Sequence, residues 1–156
     1  MVQLHIPQAN QVLFLCTGNY YRSRFAEIIF SALAAKKRMA WRATSRGLRL
    51  NMGSHNVGPI SPLALAALAE HGLSPALPIR YPQQATCKDF ELASIIIGMD
   101  ESEHQRMIME SFPQYASRVE YWHVHDLDRS GPEAALTLVE ARVRALVDRI
   151  LDTPGG

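Results

Sequence analysis

Apolar residues along the chain fall into short continuous runs separated by longer stretches of helical periodicity. Val12-Leu13-Phe14-Leu15, ending at Cys16, is an unbroken run and predicts a strand buried on both faces. From Arg22 to Lys37 the apolar positions Phe25, Ile28, Ile29, Ala32 and Leu33 recur at spacings of three and four, predicting a helix. Trp41–Ser45 reads as a second strand, and the Gly- and Asn-rich stretch Arg46–Pro59 as a loop. Ser61-Pro62 opens a helix that Gly72 closes. Residues 73–86 carry Pro75, Pro78 and Pro82 without periodicity and read as loop. Ile95-Ile96-Ile97 predicts a third buried strand. Asp100 with Glu103 has the pattern of an N-cap and its supporting carboxylate, starting a helix to Phe112. Val119–Val124 predicts the last strand. A stripe of Ala135, Leu138, Val139, Val143, Leu146, Val147 and Ile150 predicts a final helix over Pro132–Leu151.

Strands alternating with helices imply an α/β protein whose parallel sheet is covered on both faces, and 156 residues suffice for one such domain over 1–156. In a sheet of this kind ligands bind beyond the carboxyl ends of the strands. That rule directs attention to Cys16. The balance of 47% hydrophobic and 20% charged residues is that of a soluble globular protein. There is no run of 18 apolar residues, and MVQLHIPQAN lacks the features of a secretory signal, so the expected location is cytoplasmic. Two cysteines cannot form a disulfide framework. Charge is uneven: residues 1–69 hold eight Lys/Arg and one acid, Glu27, whereas residues 70–156 hold eight Lys/Arg and fourteen acids. A basic half attracts anions, unless the two halves interleave and cancel in the fold.

Cys16-Thr17-Gly18-Asn19-Tyr20-Tyr21-Arg22-Ser23 joins the first strand directly to a helix. Successive backbone N–H groups in such a turn can converge on an anion, and the helix N-terminus adds partial positive charge. The expected phosphate cradle is therefore Thr17, Gly18, Asn19, Tyr20, Tyr21, Arg22 and Ser23, with Arg22 offering a planar fork to phosphate oxygens. Gly18 and Asn19 suit left-handed backbone angles. Cys16 lies at the base, where positive surroundings favour a nucleophilic thiolate.

The stretch VLFLCTGNYYRSRFAE resembles the signature of the low-molecular-weight protein tyrosine phosphatase family, roughly V-L-F-V-C-x-G-N-x-C-R-S-P-x-A-E. ATSRG, GPISPLALAALAEHGL and DFELASIIIGMDESE are similar to its later elements. The resemblance implies a four-stranded, doubly wound parallel sheet and hydrolysis of phosphate monoesters through a cysteinyl-phosphate, with no cofactor or metal. It assigns Cys16 as nucleophile, Arg22 as clamp, Ser23 as hydrogen-bond partner of the thiolate and Asn19 as the residue shaping the loop. Ser23 also has a reading as a helix cap. The chain departs from the pattern in four places. Tyr21 stands where the family often has a second Cys, and Arg24 replaces a Pro. His125-Asp126-Leu127-Asp128-Arg129 replaces Asp-Pro, and LRLNMGSHN offers no aromatic wall.

A general acid is expected after the last strand. Asp126 has the family's placement, and Asp128 fits a turn before the last helix. His123 and His125 share a strand face, but no second ligand cluster supports a metal hydrolase. His55 and His104 are expected to be exposed. Expected partners are a phosphorylated protein or small phosphate ester. Only the basic half argues for nucleic acid, and nothing fixes an oligomeric state. A thioredoxin-coupled arsenate reductase would need two cysteines after the third strand, where the chain reads GMDESEHQ. A phosphate- or phosphoprotein-binding module with weakened catalysis is the remaining alternative.

Overall fold

A computed structural model of the chain describes residues 10–125 and 131–153. It consists of β1 (Asn10–Cys16), α1 (Arg22–Lys36), β2 (Trp41–Gly47), α2 (Pro62–Glu70), α3 (Cys87–Leu92), β3 (Ile95–Gly98), α4 (Glu101–Ser111), β4 (Val119–Tyr121) and α5 (Pro132–Asp152). Short 3-10 turns occupy Leu50–Gly53 and Pro113–Arg118. The four strands pair in parallel in the order β2-β1-β3-β4.

The continuous apolar run of β1 is explained by burial from both sides. Val12 and Phe14 face a core formed with α1, α2 and α5, whereas Leu13 and Leu15 face a second core with Phe90, Ile108 and Phe112. Chain order places β1 and β3 side by side although α1 carries the chain from β1 to β2. The loops leaving β1 and β3 therefore diverge, which creates the crevice where doubly wound sheets bind ligands. Leu15 pairs with Gly98, so β1 and β3 end at the same edge of the sheet. The Met99 N–H still donates to the Leu15 carbonyl at 2.9 Å.

Several boundaries differ from the sequence reading. β2 runs two residues beyond Ser45, because Gly47 stays in register with Cys16. A Cβ at Gly47 would lie 2.8 Å from the Thr17 carbonyl, so glycine is what lets the strand pass so close. The ladder of β4 stops at Tyr121, since the next residues turn toward the exit of β3. There Glu101 N–H donates to Trp122 O, and Val124 N–H donates to Met99 O. The helix Cys87–Leu92 was not predicted; six residues are too few for periodicity to register. Its marker is a capping box between Thr86 and Asp89. The oppositely charged halves interleave through Arg22–Glu103, Arg46–Asp89 and Arg49–Glu110. Among the described residues no helix is long and apolar enough to cross a membrane.

Candidate active site

Cys16, Thr17, Gly18, Tyr20, Tyr21 and Arg22 line a cleft of about 270 Å³ together with Met52, His55 and Asn56. A larger hollow of about 380 Å³ between α1, α2 and α5 shares none of these lining residues. The cleft has chemistry because of how α1 begins. Tyr21 at its N-cap makes no side-chain cap hydrogen bond, and no acid occupies its first turn. Its leading N–H groups and the positive end of its dipole are therefore directed at whatever fills the cradle.

Cys16 is almost fully buried at the floor, its Sγ 2.8 Å from Ser23 Oγ. The groups behind Ser23 orient its hydroxyl. Asn19 Oδ1 accepts from Arg80 Nη1 at 2.9 Å and from the Gln83 backbone N–H at 3.1 Å, and both of these can only donate. The amide is thereby oriented with Nδ2 toward Ser23 Oγ and Ser45 Oγ, both at 2.9 Å. Asn19 fills one lone pair of Ser23 Oγ and leaves its hydrogen free for the sulfur; toward a thiolate, which can only accept, Ser23 is the donor. Ser45 passes its hydrogen to Glu27 Oε1 at 3.0 Å, and Arg80 Nη2 reaches the same carboxylate at 3.1 Å. A chain of donors thus runs from a partly exposed ion pair to the thiol.

This arrangement corrects two readings. Ser23 is no cap: it lies inside α1, with Tyr21 at the capping position. Gly18 does not use left-handed angles; only Asn19 does, at φ 51°. Gly18 instead provides room, because a Cβ there would meet Asn56 Nδ2 at 3.3 Å.

Arg22 is 4% exposed and is held by Glu103 and the Val124 carbonyl. Its Nη1 donates to Glu103 Oε2 at 3.0 Å and to the Val124 carbonyl at 2.9 Å, and Nη2 donates to Glu103 Oε1 at 3.1 Å. Glu103 is therefore not the supporting carboxylate of a cap. Asp100 caps α4 by itself through Ser102 N–H, and Glu103 turns to the guanidinium and to the Thr17 hydroxyl, which donates to it. Burial alone would push the Glu103 carboxyl up. The hydrogen bonds from His104 and Arg22, with the guanidinium charge, outweigh it and hold the carboxyl well below the usual carboxylate range.

His104 is fully buried rather than exposed. Asp100 N–H donates to its Nδ1 at 3.0 Å, so the ring proton sits on Nε2, which faces Thr17 Oγ1 at 3.1 Å. The Thr17 side chain is thus committed to α4; only its backbone is available to the cradle's interior. His55 is exposed at the rim of the cleft. His123 lies 3.7 Å from Glu101, while His125 bonds the buried Asp100 at 2.9 Å. Among the described residues no three His, Cys, Asp or Glu side chains are grouped to hold a metal.

Tyr20 donates its hydroxyl to the Val57 carbonyl at 2.6 Å and forms one wall, whereas Tyr21 packs into the core. Arg24, in the place of a Pro, is a buried strut. It donates to the carbonyls of Pro59 and Arg80, both at 2.8 Å, and so ties two loops to the cradle. Burial, with Arg80 beside it, lowers its pKa to about 10. Asp126 and Asp128 lie outside the described residues. Sequence reasoning missed Glu103, Arg80 and the cleft wall of Met52, His55 and Asn56.

The sequence profile of the family described as low molecular weight phosphotyrosine protein phosphatase matches residues 11–152. A low molecular weight phosphotyrosine protein phosphatase of Sus scrofa is 35% identical over 94 residues, 58% of this chain. The match spans about half, 55%, of that relative's length. Among solved structures, a low molecular weight phosphotyrosine phosphatase from Vibrio cholerae O395 superposes with TM-score 0.75 at 26% identity, over 92% of this chain and 97% of its own. YfkJ from Bacillus subtilis does so with TM-score 0.77 at 25% identity, over 91% and 94%. These matches show that the chain belongs to the low molecular weight phosphotyrosine protein phosphatase family, a family of cysteine-based phosphatases.

Proposed function

We propose that the protein hydrolyses phosphate monoesters through a cysteinyl-phosphate, acting as a single domain over residues 1–156 in the reducing cytoplasm. The observation that carries this reading is the buried Cys16 thiol, hydrogen-bonded to a Ser23 hydroxyl that Asn19 braces, in a cleft that Arg22 also lines. The backbone N–H groups from Thr17 to Ser23 and the Arg22 guanidinium surround the phosphoryl oxygens. Cys16 Sγ attacks phosphorus, forming the S–P bond as the ester P–O bond breaks. The leaving oxygen takes a proton from Asp126. The resulting Asp126 carboxylate then accepts a proton from water, which attacks phosphorus, breaks the S–P bond and releases phosphate with the thiolate restored. Substrates are phosphorylated proteins, phosphotyrosine among them by family membership, or small phosphate esters entering past Tyr20 and His55.

Turnover of p-nitrophenyl phosphate with EDTA present tests the reading. Cys16→Ser should lose turnover and keep vanadate binding, because the cradle remains while the nucleophile is far weaker. Full activity in Cys16→Ser, or loss of wild-type activity on adding EDTA, contradicts it. Asp126→Asn should slow alkyl phosphates more than p-nitrophenyl phosphate, within the ~10²–10⁴-fold typical of general acid catalysis. A steeper leaving-group dependence in Asp128→Asn alone transfers the role to Asp128.

A further inference from the structure

We propose that Glu103 is a positioning residue, which fixes the plane of the Arg22 guanidinium relative to the cradle and so acts on the transition state rather than on binding. This rests on the reading of Arg22 as the phosphate clamp.

Both terminal nitrogens of Arg22 meet the two oxygens of one carboxylate, at 3.0 and 3.1 Å, an end-on bidentate pair that determines the guanidinium plane as well as its place. The Val124 carbonyl at 2.9 Å sets a third point. A flexible carboxylate could not impose that geometry, and Glu103 is not flexible. Its Oε1 accepts from the Thr17 hydroxyl, and His104 Nε2 stands 3.4 Å away. His104 is in turn locked by the backbone N–H of Asp100, the residue that caps α4. The first turn of α4 therefore grips the cradle at both ends, at Thr17 beside the thiol and at Arg22. The carboxylate stays ionised across the neutral range, as its lowered pKa requires.

The chemistry predicts a split effect. Binding of a phosphate dianion depends mainly on charge, and removing a nearby carboxylate makes the cradle more positive. Passage through the transition state depends on the fork meeting the equatorial phosphoryl oxygens in plane. Loss of Glu103 should therefore lower kcat without raising KM.

Glu103→Gln retains one acceptor but turns an amide N–H₂ toward the other guanidinium nitrogen, which breaks the bidentate pair. The expected result is a ~10- to ~10²-fold fall in kcat, the range for hydrogen bonds to charged groups, with KM and the Ki of inorganic phosphate unchanged or lower. In an Arg22→Ala background the same substitution should change kcat by less than ~2-fold, because a residue acting through Arg22 has nothing left to act on. Thr17→Val, which removes a brace on Glu103 without changing charge, should give a smaller fall of the same kind. Circular dichroism and thermal midpoints identify any variant that fails to fold, in which case Thr17→Val decides. An equal fall in wild-type and Arg22→Ala backgrounds, a rise in KM with kcat unchanged, or faster turnover with tighter phosphate binding overturns the proposal. If Arg22→Ala itself leaves activity intact, it is the phosphate-clamp reading that fails.

Discussion

Among the described residues the hydrogen-bonded groups leading to the sulfur of Cys16 are neutral, Ser23, Asn19 and Ser45, and an ion pair, Arg80 with Glu27, stands behind them. Around the guanidinium of Arg22 the support is a carboxylate in direct contact. The difference follows from what each flank must stabilise. A sulfur that carries negative charge gains from a hydroxyl donor and loses from an anion in direct contact, so its hydrogen-bonded neighbour is a neutral hydroxyl. A buried guanidinium has the opposite need: without an anion its desolvation is costly, and without a bidentate partner its plane is free.

The comparison breaks first at Arg22. Arg22→Lys keeps a positive charge but replaces the fork with a point charge that cannot face Glu103 and phosphate in one plane. Turnover of p-nitrophenyl phosphate should fall by at least ~10²- to ~10³-fold, the scale of losing one oriented transition-state donor. Activity within ~3-fold of wild type would mean that charge alone suffices on this flank. On the thiol flank the expected effect is smaller. Ser23→Ala removes one hydrogen bond to a charged group and should slow the formation of the cysteinyl-phosphate by ~10- to ~10²-fold, read in a stopped-flow burst. An unchanged burst rate would show that the chain from Arg80 ends at Ser23 without reaching the sulfur.

The cradle itself was legible in the sequence because its parts are contiguous. Strand, turn and helix follow one another within Val12–Ser23, and local chemistry names their roles. What braces the cradle was not legible, because Thr17 and Arg22 meet α4 across sequence separations of 81 to 87 residues, set by the pairing of β1 with β3. Asp100-x-x-Glu103 has the spacing of a cap and its supporting carboxylate, and nothing local announces a guanidinium within reach. His104, expected outside, is fully buried. Its burial follows from its place against Thr17 at the exit of β1.

Two helix starts with the same spacing sharpen the point. At α3 the pair Thr86 and Asp89 forms a reciprocal capping box, whereas at α4 the carboxylate of Glu103 is withdrawn to the site. Thr86→Ala should therefore cost about 0.5–2 kcal/mol of stability by denaturant unfolding and leave kcat unchanged. A change in kcat there would mean that α3, too, communicates with the cradle.

Catalysis through Cys16 requires a covalent phosphate on its sulfur. Acid quenching of the enzyme during turnover of p-nitrophenyl phosphate, followed by peptide mapping in the mass spectrometer, reads this directly. The predicted result is a phosphoryl group on the thiol of Cys16, formed in a burst stoichiometric with enzyme and absent from Cys16→Ala. Undiminished turnover with no phosphorylated cysteine, or a phosphoryl group on another side chain, would contradict it.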